Sequence, residues 1–259
     1  MKLNFREFGS GPSVIIVHGL MGSASNWQGI AKRLADSYRV LTVDLRNHGD
    51  SPHDDDMSYA AMVGDLVELL DDQCQGQACL VGHSMGGKAV MALALEHPDK
   101  AACVIAVDIA PVPYNHSFRG FTGAMECIPL SRIKSRKQAE DYLRDVAPEP
   151  AIRAFLLHNL RRDKDQNWHW RINLPVITDQ LPAITGFSLS DRAHNYHGPT
   201  LFIRGDRSTY VLDEHWPEVL TLFPHAGLKT VPDTGHWLHA EKPEQVTALI
   251  RGFLDANHE

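Results

Sequence analysis

A chain of 259 residues with 43% hydrophobic and 22% charged side chains is long enough for one full-sized α/β core, or for one such core carrying an insertion, and needs no disulfide or metal staple. Its 25 basic and 32 acidic side chains give a formal charge of −7, which repels polyanions and argues against nucleic acid or an anionic membrane as partner. The N-terminus lacks the apolar stretch of a secretory signal, and no uncharged apolar run approaches the ~20 residues that span a bilayer. Of the four cysteines, Cys79 and Cys103 fall in apolar, strand-like runs and read as buried free thiols; with Cys74 and Cys127 they lack zinc-site spacing and fit a reduced, cytoplasmic setting. The expected partner is a small-molecule substrate met by a monomer or homodimer, without metal or organic cofactor.

Residues 2–8 can supply one leading strand. Strand-like runs at 14–17, 40–43, 78–81 and 104–107 then alternate with helical patterns at 27–34, 59–70 and 88–96. After a long interruption the alternation resumes with strands at 201–203 and 228–231 and helices at 214–222 and 243–254, the last opening on Pro243 in its first turn. About seven strands are expected, in a mostly parallel sheet flanked by helices. From 113 to 197 the pattern is instead helical and aromatic, with basic clusters at 132–137 and 161–164. Residues 1–112 and 198–259 are therefore expected to form the core domain. Residues 113–197 are expected to form a helical lid over the sheet's C-terminal edge, where open α/β sheets place their ligands.

The sharpest motif is Gly82-His83-Ser84-Met85-Gly86, directly after a strand and before a helix. A serine on so tight a turn adopts strained dihedrals, the flanking glycines relieve clashes, and the hydroxyl projects above the sheet edge. Ser84 is the expected nucleophile. Among 15 histidines, His236 is the expected general base, because Asp233-Thr234-Gly235-His236-Trp237 follows the last strand and chain order puts the base last. His239 competes, but should already turn toward the last helix; His83 should leave the turn in another direction; His48, His53 and His97 read as solvated or packing residues. Backbone amides of Met85 and of Leu20, in His18-Gly19-Leu20-Met21-Gly22, are the expected oxyanion donors. The acid is open between two carboxylates. Asp206 follows the penultimate strand but lies two residues before the usual acid position, which Ser208 fills. Asp108 ends the strand after the nucleophile's own unit, and the vacancy at Ser208 favours it.

Asp44-Leu45-Arg46-Asn47-His48-Gly49-Asp50-Ser51 resembles the DxRGHGxS turn of single-domain α/β hydrolases, with Asn47 in place of the usual glycine. That segment, the stretch 82–93, Asp108-Ile109-Ala110-Pro111-Val112, residues 170–176 and residues 235–243 together resemble YbfF-type bacterial esterases over nearly the whole chain. The resemblance implies the α/β-hydrolase fold and a serine esterase acting on small acyl esters, with acyl-CoA thioesters as a further candidate class. It also implies an acid at the Asp108 position. A carbon–carbon bond hydrolase, a cofactor-free haloperoxidase or a ligand-sensing protein with little turnover are the rival readings, since each can keep the same three residues. Phe118, Phe121, Trp168, Phe187 and Trp237 are expected to face substrate, together with Met125, Phe155, Leu156 and Trp170; packing between lid and core is the plainer role for such aromatics. Arg119, Arg161 and Arg162 could meet the phosphates of a coenzyme A ester.

Overall fold

A computed structural model describes residues 1–115, 118–190 and 193–257. Nearly continuous apolar, β-branched runs form β2 (Ser13–Val17), β3 (Arg39–Val43), β4 (Ala78–His83) and β5 (Ala101–Val107), buried on both faces as a covered parallel sheet requires. With β1 (Phe5–Phe8), β8 (Thr200–Gly205) and β9 (Ala226–Val231) they make a seven-stranded sheet of order β1-β3-β2-β4-β5-β8-β9, in which only β1 runs antiparallel. The strand order reverses between β2 and β4. Their adjacent C-terminal ends make the crevice in which this class of sheet binds ligands.

One sheet face packs on α1 (Gln28–Leu34) and α11 (Pro243–Asn257) through Trp27, Ile30, Leu34, Val246 and Ile250. The other is covered by α2 (Tyr59–Gln73), capped by the Ser58 hydroxyl, and α3 (Met85–Glu96). The helix α3 begins at Met85, ahead of the expected residue 88, because the Lys88 amide already donates to the Ser84 carbonyl (3.1 Å). Between β5 and β8, which pair directly, the chain inserts α4 (Arg119–Glu126), α5 (Arg136–Asp141), α6 (Pro150–Leu157), α7 (Leu174–Asp179) and α8 (Leu181–Thr185). The same insertion, expected to be mostly helical, also carries a two-stranded hairpin, β6 (Leu160–Arg162) and β7 (Trp168–Trp170). The short helices α9 (Trp216–Leu222) and α10 (Leu238–Glu241) complete the fold. No helix among the described residues is long and apolar enough to cross a membrane.

Cys79 and Cys103 correct the thiol reading. They are register partners on neighbouring strands, their Cα atoms 4.6 Å apart, and they are joined as a disulfide; Cys74 and Cys127 are free. Cysteine usage therefore no longer argues for a reducing compartment.

The turn after β4 has no spare volume. A Cβ on Gly86 would sit 2.6 Å from the Val17 carbonyl oxygen and closer still to that of His18, and one on Gly82 would sit 2.6 Å from the Gly87 Cα. Both obstacles are backbone and cannot rotate away. Gly86→Ala is therefore expected to destabilise the fold by about 3 kcal/mol, as overpacking of a filled interior does. Urea unfolding would show it as a lowered midpoint at unchanged slope.

Candidate active site

Ser84 joins β4 to α3 at φ 52°, ψ −121°, a conformation that L-residues rarely adopt. Its amide donates to the Val107 carbonyl (3.1 Å), fixing the turn to β5. The loop after β2 comes so close that a Cβ on Gly19 would lie 3.1 Å from that of Ser84. Within this loop Gly22 donates to the Gly19 carbonyl (2.9 Å), and Met21, in the left-handed region at φ 60°, is held from both sides. Its amide donates to His48 Nε2 (3.1 Å), and its carbonyl accepts from Asn159 Nδ2 (2.7 Å). The amides of Leu20 and Met85 donate to no protein acceptor among the described residues. Two backbone donors are thus left over beside the serine, the number an oxyanion needs.

His236 stands in the loop between β9 and α10 and shares a cleft with Ser84. Its Nδ1 lies 2.7 Å from Oδ2 of the fully buried Asp108. The carboxylate also accepts the Gly205 amide at Oδ1 (3.1 Å) and the Ser208 hydroxyl at Oδ2 (2.5 Å). A histidine that donates its Nδ1–H to a carboxylate keeps Nε2 free to take a proton. Tyr210 stacks on the imidazole, ring centres 3.9 Å apart and 17° from parallel, and its carbonyl accepts from the Tyr114 hydroxyl (2.5 Å).

The other candidates lie elsewhere. Asp206 is exposed; its Oδ1 accepts the Thr234 amide (3.1 Å), and backbone hydrogen bonds, that of Asp233 foremost, hold its carboxyl below the usual range. It makes no hydrogen bond to His236. His239 stacks flat on Trp27 (4.6 Å between centres), and burial, followed by the charge of His236, pulls it down to about 3. His83 turns toward the His236 loop: its ring nitrogen donates to the His236 carbonyl (2.9 Å), and burial holds its pKa well below the usual value. No group of three or more metal-ligating side chains gathers among the described residues.

Residues 14–249 match the family described as "Alpha/beta hydrolase family". The chain belongs to that family. It is 38% identical over 262 residues to esterase YbfF of Escherichia coli (strain K12), covering 98% of this chain and 100% of that protein. It is 42% identical over 252 residues to the sn-1-specific diacylglycerol lipase ABHD11 of Mus musculus, covering 94% of this chain and 81% of the relative. Among solved structures, a marine microorganism esterase superposes with a TM-score of 0.94 at 39% identity, over 98% of this chain and 99% of that one.

Two compartments of this α/β hydrolase meet at Ser84, and Leu20 and Phe118 border both. The outer one is mostly apolar and is walled by Phe121, Phe155, Trp237 and the ring of His236. The inner one runs back to Lys88, Tyr114, Thr185 and Tyr210. Phe118, Phe121, Trp237, Phe155 and Leu156 of the expected aromatic and apolar set line these walls. Trp168 and Phe187 do not. Trp168 sits on the hairpin with the Arg162 guanidinium over its ring (4.4 Å), and Phe187 packs edge-on against Tyr59 (6.1 Å). Trp170 borders a separate surface hollow, and Met125 is buried in packing.

Asn159, Ser208 and Tyr210 touch the site without having been singled out as contributors, and His48 had been read as packing. His48 lies in the 44–51 turn motif, but Asn159, Ser208 and Tyr210 carry no local motif; their roles come from where the insertion and the loop after β8 fold back. Burial pulls His48 down to about 3, so it stays a neutral acceptor for Met21. Asn159→Ala would free the Met21 carbonyl and loosen the loop that orients the Leu20 amide. We expect about tenfold slower inactivation by a fluorophosphonate, below the roughly 10²-fold or greater cost of deleting an oxyanion donor itself, with little change in thermal midpoint.

Proposed function

We propose that the chain is a serine esterase cleaving short- to medium-chain acyl esters, with Ser84 as nucleophile, His236 as base and Asp108 as the carboxylate that orients it. The observation that carries this reading is the 2.7 Å contact between His236 Nδ1 and the buried Asp108, in a cleft shared with a serine on a strained turn. A hydroxyl is a poor nucleophile until a neighbouring base takes its proton. His236 receives that proton at Nε2 as Ser84 attacks the acyl carbonyl, and Asp108 stabilises the imidazolium. The amides of Leu20 and Met85 hold the oxyanion. The alcohol leaves with the proton from His236, and water then repeats the attack on the acyl-enzyme.

Residues 113–197 act as a lid in this reading, supplying Phe118, Phe121 and Phe155 to the apolar wall. The names of the relatives, an esterase and a diacylglycerol lipase, support ester hydrolysis as the class. Acyl-CoA thioesters are the finer extension, since the same chemistry cleaves them. Of the arginines considered for phosphate, Arg162 is committed to Trp168, whereas Arg161 reaches toward His158 (3.4 Å) and has Arg136 and Arg171 as cationic neighbours, with Asp50 as an opposing charge.

Ser84→Ala should lower turnover of p-nitrophenyl acetate or butyrate by roughly four orders of magnitude or more; a loss under tenfold would reject the nucleophile. Asp108→Asn should cost about 10⁴ in kcat through the wrong imidazole tautomer, while Asp206→Asn stays near wild type. The reverse ranking would reassign the acid. A chain-length series of paired oxygen and coenzyme A esters decides between ester and thioester preference.

A further inference from the structure

Lys88 is the one large charged side chain among the most deeply buried residues, 1% exposed and one turn into the helix that begins at the nucleophile. No carboxylate among the described residues pairs with it. Its Nζ donates to the carbonyls of Thr185 (2.8 Å) and Gly186 (2.6 Å), where α8 ends within the insertion, and it lies 4.6 Å from the centre of the Tyr114 ring. The neighbouring carbonyl of Ile184 is captured by the core as well, accepting the Tyr59 hydroxyl (2.6 Å), and the Thr185 carbonyl also accepts the Tyr114 amide from the insertion itself (3.0 Å). Tyr114 in turn holds Tyr210, which stacks on His236. Lys88, Tyr114, Thr185 and Tyr210 are also walls of the inner compartment behind Ser84. That compartment has an open volume of about 20 Å³, against about 40 Å³ for the outer one, so a small displacement of its walls changes what fits.

We propose that Lys88 is a positioning residue whose positive charge clasps the end of α8, within the insertion, against the nucleophile's helix and so sets the fit of the acyl group in the inner compartment. The assignment rests on the esterase reading above. Returning a proton to the leaving oxygen requires that oxygen near His236, which walls the outer compartment; the acyl chain is left the inner one.

Among the described residues, the groups around the ammonium are two carbonyls of the insertion and the rings of Tyr114 (4.6 Å) and Phe187 (6.0 Å); the Tyr59 phenol, bonded to the adjacent carbonyl of Ile184, lies behind Phe187. Both phenols are raised by burial and stay neutral, and Asp108, which acts on Tyr114 and Tyr210, has no ion pair with Lys88. Burial pulls Lys88 from 10.5 down to about 7, while the carbonyls and the ring face favour its charged form. The folded value lies below the unfolded one, so between pH 7 and 10.5 the unfolded chain binds more protons. The stability cost of the buried charge is therefore full below pH 7 and fades as pH rises. The clasp runs the other way, since it needs the charge and weakens above pH 7. Stability and substrate fit should thus move in opposite directions with pH, which simple packing cannot produce.

The test measures KM for p-nitrophenyl butyrate and thermal midpoint at pH 6, 7.5 and 9 for wild type, Lys88→Met and Lys88→Arg, after titrating each with a fluorophosphonate. Wild-type KM should rise at least threefold from pH 6 to 9 while its midpoint does not fall. Lys88→Met should have a KM at least fivefold above wild type at pH 6 and flat with pH, with Ser84 still titrating stoichiometrically. Lys88→Arg should keep KM low and flat. A pH-independent wild-type KM, an unchanged KM in Lys88→Met or a failure of arginine to restore it would overturn the proposal. If neither variant folds, the wild-type series decides alone. A wild-type protein that does not titrate with the fluorophosphonate defeats the esterase reading instead.

Discussion

Backbone packing at the crossing of β2, β4 and α3 constrains everything else in the molecule. Ser84 is held at φ 52° because its amide is tied to β5, its carbonyl starts α3, and Gly82 and Gly86 present hydrogen atoms where any side chain would strike backbone. The strain is local and of the order of 1–3 kcal/mol, small against the burial of two apolar clusters on the two faces of the sheet. In return, the hydroxyl stands clear of the sheet edge at the point where the strand order reverses, and the first amide of α3 is left without an acceptor beside it.

The base and its carboxylate follow from the same edge. His236 comes from the loop after β9 and Asp108 from the end of β5, two strands away in the sheet order. Ser208 stands where an acid was expected, and its hydroxyl donates to Asp108, so that position still contributes to the polar network. Asp108 accepts from Gly205, Ser208 and His236 at once. A buried carboxylate so surrounded is satisfied without a cation, which suits the proposed role of the imidazole in exchanging a proton with substrate.

The parts of this arrangement that show in the sequence are those whose geometry admits few residue types. Glycines at 82 and 86 mark a turn that nothing larger can make, and β-branched runs of four to seven residues mark buried parallel strands. Asn47 shows the limit of such reasoning. It replaces the usual glycine at φ 63°, a conformation asparagine tolerates, and then uses its amide on Asp54 and Asn173, binding the turn to the start of α7. Trp168 and Phe187 failed as pocket residues because an aromatic in an amphipathic pattern reads alike whether it meets a cavity, an arginine or another ring. The choice between Asp108 and Asp206 depended on the direction of a loop, and direction is not encoded in spacing. Cys79 and Cys103 read as separate thiols because only strand register brings them opposite each other.

Several polar contacts fasten the insertion to the core, and those at Asn159 and at Thr185 and Gly186 end on elements that border Ser84. Asn159 meets the loop after β2 at Met21, Asn173 meets the turn after β3 at Asn47, and the carbonyls of Thr185 and Gly186 meet α3 at Lys88. They are buried or partly buried, so each broken contact would strand a donor or an acceptor away from water, at a cost of about 1–3 kcal/mol. Apolar contacts alone would let the insertion slide, since they are non-directional. Directional anchors spread along the insertion instead fix its orientation over the cleft. Substitutions at these anchors therefore act on the shape of the two compartments before they act on the stability of the sheet beneath.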